Sequence, residues 1–247
     1  MVTIEGVRKR YSRRGPWVLD GVDLVLEPGV TTVNYSDPQC AAGIKPESNT
    51  MRCYPVFWTP GGAKEPVLDW FNKYVVTDVT EDGGTTLAKQ VHTHYDYDGA
   101  AWHYDENIHG DAKYRTWNEW RGYATVTTTK GSPEDPAGPP TVTKTSYLQG
   151  MDGDTYPDAN NQPKATRAVK NTDSLGEEIT DSRELDGFVR ETQTLLDGKV
   201  IGTALNDPWI TTTGTDADGI QSAMTSTSVV RTRVFVAATG QWRTARK

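Results

Sequence analysis

The 247-residue sequence has few apolar residues, no long apolar run and no basic excess. A transmembrane helix needs about 20 consecutive apolar residues, and no such stretch occurs, so we expect no membrane span. The opening MVTIEGVRKRYSRRGPW has no apolar core after its basic residues and does not predict a signal peptide. Nucleic-acid binding requires Lys and Arg that displace counterions, and the net charge of -7 disfavours it.

The composition favours strands and turns over helices. Hydrophobic residues make up only 35% of the chain and only four are Phe, whereas Thr, Gly, Asp and Tyr are abundant. We therefore predict an all-β, mainly antiparallel protein, with consecutive twisted hairpins forming an open sheet. One or two helical turns are predicted only at Lys64 to Lys73. Strand-like segments lie at 54–58, 73–80, 86–97, 123–130, 141–149, 165–172, 188–196, 200–205 and 222–237.

Two short segments give more specific predictions. Asp197-Gly198 stands between two apolar runs, which is a strong signal for a tight β-hairpin. Cys40 and Cys53 are the only cysteines and lie in a segment rich in Pro, Gly and Asn. A disulfide between them is chemically reasonable in an oxidising compartment, and two free thiols are the alternative.

Residues 1–33 differ in character from the rest of the chain. Basic residues crowd Arg8 to Arg14, and WVLDGVDLVLEPGVTTV then alternates like a strand pair around a turn at Glu27-Pro28-Gly29. This segment resembles the start of an ABC-transporter ATP-binding protein. The resemblance implies that Tyr11 corresponds to the aromatic residue that stacks on adenine in that family.

The phosphate-binding loop of such an ATPase is missing. That loop needs closely spaced glycines followed by Lys and Ser or Thr, so that backbone N–H groups surround the phosphates. The segment after Val33 reads NYSDPQCAAGIKPESN and does not provide this arrangement. We therefore interpret residues 1–33 as a fused or artefactual fragment, residues 34–50 as an irregular junction, and residues 51–247 as a separate β region.

The most informative segment lies between Val91 and Tyr123, where Tyr and Trp alternate with Asp, Gly and His. Large rings beside tight turns are typical of side chains that pack on a pleated sheet. Two groups of residues carry the pattern: Tyr95, Asp96, Tyr97, Asp98 and Gly99, and then Trp117, Trp120, Arg121, Gly122 and Tyr123.

The first group resembles the tyrosine-aspartate core of Rhs/YD-repeat proteins, and the second resembles their aromatic-Arg-Gly-aromatic segments. The resemblance is to the actinobacterial type, runs from about Met51 to Lys247, and includes Gly62 to Phe71 and Asn206-Asp207-Pro208-Trp209. Only one clear tyrosine-aspartate core is present, so the chain is similar to the region that precedes a repeat array.

This resemblance implies a truncated, non-catalytic piece of a secreted or cell-surface toxin-type protein. In that family β-hairpins form a shell that encloses a toxic domain. The implied partners are the remainder of the shell or the enclosed toxin, with carbohydrate or cell-surface contact as a further option. No cofactor is expected.

Two other functions remain as alternatives to a structural role. The first is an ABC-transporter ATP-binding subunit, which depends on residues 1–33. The second is a metal- or carbohydrate-binding β module, since His92 and His94 would lie on one face of a strand, near His103 in sequence. Asp152, Asp154 and Asp158 share one loop and could supply oxygen ligands for calcium, but turn formation is the favoured explanation, because the spacing lacks the frame of an EF-hand loop.

Overall fold

A computed structural model describes residues 2–9, 19–26, 29–41, 43–84, 90–106, 110–131, 138–157, 163–217 and 221–247. These residues form seventeen strands, and three short 3₁₀ turns are the helical segments among them. The strands are β1 Val2–Lys9, β2 Leu19–Leu26, β3 Val30–Tyr35, β4 Cys53–Trp58, β5 Val67–Asn72, β6 Val76–Asp82, β7 Val91–His103, β8 Glu119–Lys130, β9 Thr141–Tyr147, β10 Thr155–Pro157, β11 Pro163–Thr166, β12 Lys170–Thr172, β13 Glu178–Thr180, β14 Val189–Leu196, β15 Lys199–Thr215, β16 Gln221–Val236 and β17 Gln241–Arg246.

The largest unit is an open nine-stranded sheet with the order β17-β16-β15-β14-β9-β8-β7-β6-β3. Every neighbouring pair in it is antiparallel. Most neighbours in the sheet are also neighbours in sequence, as short connections between antiparallel strands require. The all-β, antiparallel prediction is therefore confirmed.

The other strands form four two-stranded sheets: β1-β2, β4-β5, β10-β11 and β12-β13. The β4-β5 hairpin lies against the sheet through aromatic side chains, and the turn between β12 and β13 lies over the face formed by β15, β16 and β17. No helix in the described parts of the chain is long and apolar enough to cross a membrane.

The hairpin prediction at Asp197-Gly198 is confirmed. Both residues have a positive φ, 49° and 73°, and they connect β14 to β15 with Leu196 opposite Lys199. A two-residue turn of this kind has the twist that antiparallel strands require. The long connection after Lys130 also joins paired strands, β8 and β9, although residues 132–137 lie outside the described residues.

Two local predictions are wrong. Residues 67–72, within the predicted helix at Lys64 to Lys73, form β5, because their backbone pairs with β4 along its whole length. The strands around Glu27-Pro28-Gly29 do not pair with each other: β2 pairs with β1, and β3 pairs with β6. The predicted domain boundary after residue 33 thus falls inside β3.

The core is small and lies beside the middle of the sheet. Its apolar members are each at most 5% exposed: Cys53, Ala100, Trp102, Leu148, Met151, Leu185 and Leu205. Cys53 forms a disulfide with Cys40, so the disulfide alternative is confirmed over free thiols. The bond anchors the start of β4 to the segment that follows β3.

Candidate functional site

The aromatic residues form a continuous series of ring contacts that connects the β4-β5 hairpin to the sheet. Tyr54 of β4 stacks on Trp102 of β7 with ring centroids 4.5 Å apart, and Trp102 lies 4.8 Å from Trp120 of β8. The Trp102 indole N–H donates to the carbonyl of Met51 at 2.7 Å. Each such ring pair contributes about 0.5–1.5 kcal/mol beyond its burial. We call this series the ring ladder.

The ring ladder continues along the sheet through tyrosines. Trp120 contacts Tyr123 at 5.1 Å, Tyr123 contacts Tyr97 at 4.7 Å, and Tyr97 contacts Tyr95 at 6.4 Å. The Tyr97 hydroxyl donates to the carbonyl of Val76 at 2.7 Å, and burial raises the pKa of this phenol. The structure therefore brings the aromatic members of both sequence motifs together as packing residues.

The two motif glycines have a backbone role. Gly99 and Gly122 have φ values of +70° and +74°, a region that other residues rarely adopt. A Cβ on Gly99 would also lie 2.7 Å from the Cβ of Ala124. The Gln149 side-chain amide donates to both glycine carbonyls, at 2.8 and 2.9 Å. One buried side chain thus joins the two motifs at the irregular part of the β7-β8 pairing.

The remaining motif residues lie at the border of this cluster. Trp117 packs edge-on against Tyr104 with ring centroids 4.8 Å apart. Arg121 pairs with Glu119 at 3.0 Å and with Asp186 at 3.2 Å. Asp96 and Asp98 are exposed, and Asp96 lies 3.3 Å from His94.

His92 and His94 lie on one face of β7, as predicted, with ring centroids 6.5 Å apart. Both face Asp78 on the neighbouring strand β6, at 3.2 Å and 2.7 Å. The hydrogen bond with Asp78 raises the pKa of His94, and the same bond lowers the pKa of the Asp78 carboxyl. The histidines are thus partners of one carboxylate at a partly exposed surface.

His103 belongs to a different, buried cluster and is only 1% exposed. Its ring lies 3.4 Å from Asp154, 3.6 Å from Glu106 and 3.5 Å from Glu119, and it lines a recess of about 290 Å³. Each of these carboxylates also pairs with an arginine: Asp154 with Arg167, Glu106 with Arg183, and Glu119 with Arg121. Across the described ranges, no group of three His, Cys, Asp or Glu side chains has an arrangement that could hold a metal ion.

Buried aspartates anchor the loops around His103. Asp181 is 1% exposed and accepts hydrogen bonds from the backbone N–H groups of Gln149, Gly150 and Met151, at 2.8, 3.0 and 3.1 Å. Asp152 accepts from the N–H of Val169 at 2.7 Å. These carboxylates satisfy backbone donors, as in turn formation.

Part of the loop that could bind calcium lies outside the described residues. Asp158 lies outside the described residues, as does Tyr11, the candidate nucleotide contact. The described carboxylates of that loop, Asp152 and Asp154, are engaged by protein partners.

A second network of charged side chains connects Arg190 of β14 with the Asn206-Asp207-Pro208-Trp209 segment of β15. Arg190 lies 2.5 Å from Asp173 and 2.6 Å from Asp207, and it also donates to the carbonyl of Asn206 at 2.7 Å. The Asn206 amide in turn donates to the carbonyl of Val189 at 2.8 Å. Burial raises the pKa of Asp207, but the hydrogen bonds from Arg190 and Arg231 outweigh it and lower that pKa overall. The network holds the β12-β13 turn against β14 and β15.

Sequence reasoning missed Tyr54, Asp78, Gln149 and Asp181, which hold the predicted residues in place. Their partners are remote in sequence, so no local pattern marks them. Compared with known proteins, the chain matches no protein-family model and no curated protein.

Proposed function

We propose that the chain is a non-catalytic structural part of an Rhs/YD-repeat protein of the secreted or cell-surface toxin type. It contributes wall to a β-shell, or forms the module that precedes the repeat array. The observation that carries the proposal is the ring ladder, in which the residues of the motif resemblance pack on one another across several strands.

The open sheet supports a role in a larger β assembly. Among the strands that the structure describes, β3 and β17 are the two edges of this sheet, and such edges offer unpaired backbone groups to further strands. Every residue of β3 is exposed, including Val30 at 60% and Tyr35 at 63%. Additional strands and a covering layer would bury this surface, as a continuous shell wall does.

The disulfide supports the proposed secreted or surface location. Disulfides persist in oxidising compartments and are rare in the cytosol. The Cys40–Cys53 bond fixes the start of β4, and hence the first ring of the ladder, Tyr54.

The family assignment can be tested in the genome. We expect the reading frame around this segment to encode further tyrosine-aspartate motifs at regular spacing, followed by a domain that acts as a toxin. A neighbouring frame that encodes an intact ABC ATPase or no repeats would overturn the assignment. The purified chain should also gain no thermal stability from Mg-ATP, whereas a clear gain would favour the ATP-binding alternative.

The open-edge argument can be tested on the protein itself. We expect concentration-dependent association in sedimentation velocity, and less association in Val33→Lys, because a charge on an edge strand opposes pairing. Val234→Lys is the matched control, since Val234 is also exposed but lies in β16, which is paired on both sides. Equal association of both variants and the wild type would contradict a role of the β3 edge.

The metal-binding alternative makes a different prediction for the same preparation. A metal module would retain zinc after purification and lose it in His94→Ala. We expect no retained zinc in the wild type and hence no loss in His94→Ala, because the two ring nitrogens of His94 already contact Asp78 and Asp96. Stoichiometric zinc that is lost in His94→Ala would replace the structural role with the metal-binding one.

A further inference from the structure

A cleft of about 420 Å³ lies on the face of the sheet formed by β15, β16 and β17. Leu205, Arg231 and Arg246 are direct cross-strand neighbours, and Arg233 and Thr244 form the next row. Side chains of one row in an antiparallel sheet point to the same face. The floor of the cleft is therefore apolar at Leu205 and lined by arginines.

The turn between β12 and β13 forms the opposite wall, where Leu175 lines the cleft. Three contacts hold this turn in place. The backbone N–H of Ser174 donates to Glu191 at 3.0 Å, Arg190 pairs with Asp173, and Arg231 donates to both carboxylate oxygens of Glu177 at 2.7 and 2.5 Å. The cleft is thus bounded by two fixed surfaces.

The arginines of the cleft are not equally neutralised. Arg231 pairs with Glu177 and also with Asp207 at 2.8 Å. Within the described residues, no carboxylate oxygen lies within 4.0 Å of Arg233 or Arg246. Arg233 donates to the Ser174 hydroxyl at 3.1 Å and lies over the Trp242 ring at 4.8 Å, while its Nε is buried without an acceptor. The cleft therefore has unused positive charge and an unused donor.

We propose that this cleft binds a small amphipathic carboxylate. Its headgroup would accept hydrogen bonds from Arg233 and Arg246, since the guanidinium fork matches a carboxylate, and its apolar part would contact Leu175, which is 45% exposed, above the buried Leu205. The volume falls in the range of about 300–1,000 Å³ that is usual for small-molecule sites. This inference goes beyond the structural role and does not depend on it.

The binding test compares probes that share one apolar chain. Isothermal titration calorimetry of the full chain at low salt should show saturable binding of octanoate, and weaker binding of octanol, octylammonium and acetate. Added salt should weaken octanoate binding, because the charges are partly exposed. Octanol binding as tight as octanoate, or the absence of saturable octanoate binding, would overturn the proposal.

Variants locate the site. Arg233→Gln and Arg246→Gln should each weaken octanoate binding about tenfold, which corresponds to about 1.4 kcal/mol. Arg243→Gln is the matched control, because Arg243 alternates with Thr244 onto the opposite face of β17 and should leave affinity unchanged. Equal losses in Arg243→Gln and Arg233→Gln would indicate non-specific attraction and overturn the site.

Two further measurements remain informative if an arginine variant folds poorly. Leu175→Ala lies on an exposed turn and should reduce octanoate binding without a change in thermal melting. The Arg233 Nε–H resonance of the wild-type chain should shift on octanoate addition. Unchanged affinity in Leu175→Ala together with an unshifted resonance would place octanoate elsewhere and overturn the proposal.

Discussion

The middle of the sheet and the outer ends of β15 and β16 are both long antiparallel strand pairs, but their surroundings differ. Each pair carries a tryptophan. Trp102 in the middle is 2% exposed, whereas Trp209 on the outer pair is 45% exposed. The β4-β5 hairpin and the loops anchored by Asp181 cover the middle. Burial in this protein therefore depends on which turns fold back over a strand.

The largest expected effect comes from the ring ladder. Trp102→Ala removes a buried ring with two stacking partners and should lower the free energy of unfolding by about 3–5 kcal/mol. Trp209→Ala makes the same change on the exposed outer pair and should change it by less than about 0.5 kcal/mol. Urea unfolding of both variants measures the difference. Similar losses in the two would show that the outer pair is also packed.

The disulfide should have the next largest effect. Replacing Cys40 and Cys53 together by Ser should lower the free energy of unfolding by about 3 kcal/mol, the loop-closure value for a loop of about 15 residues. Urea unfolding under non-reducing conditions measures this loss. Reduction of the wild type with dithiothreitol should give the same loss. A double variant as stable as the oxidised wild type would contradict a role for the bond in fixing β4.

Asp181→Asn should destabilise the loops that cover the middle. The amide keeps one acceptor but places an NH₂ group against a backbone donor, which should cost about 1–3 kcal/mol. Glu184→Gln is the matched control on the exposed adjacent turn and should be nearly neutral. Hydrogen exchange at the Gln149, Gly150 and Met151 amides should accelerate only in Asp181→Asn. Equal exchange rates in both variants would argue against this anchor.

The smallest expected effect concerns pH at the exposed His94–Asp78 pair. Because the folded-state pKa of His94 is raised, its contribution is complete below about pH 6.5, the unfolded value, and is lost as pH rises through the folded pKa. The lowered pKa of Asp78 means that its contribution is lost only when pH falls below the ordinary carboxyl range. NMR titration should show the His94 pKa returning toward its ordinary value in Asp78→Asn, and an unchanged titration would exclude this pairing.

Local sequence patterns predicted much of the fold because most sheet neighbours are also neighbours in sequence. The Asp197-Gly198 turn and the β8-β9, β14-β15 and β15-β16 pairs follow from alternation and turn residues. The apolar spacing of Lys64 to Lys73 fits a short helix as well as a strand, so the sequence alone predicted a helix where the chain forms β5. Pairing with β4, the preceding strand, decides between them.

The same limit applies to the site. Tyr95, Tyr97 and Tyr123 contact one another's rings, as large rings on neighbouring strands are expected to do. Asp78 and Gln149 could not be identified from sequence, since an isolated Asp or Gln has many possible roles. Only the register of the strands brings Asp78 to His94, and only the fold brings Gln149 to Gly99 and Gly122.

The side-chain amide of Gln149 joins three neighbouring strands of the sheet. Its two N–H groups donate to carbonyls on two different strands, β7 and β8, while the residue itself follows β9. An ionised Glu or a Met at position 149 would have no hydrogen-bond donor in its side chain, so neither substitution preserves the two bonds. The double contact can form only once the first hairpin has closed and the third strand has arrived. The two bonds of Gln149 therefore require β7, β8 and the end of β9 to be in register at the same time.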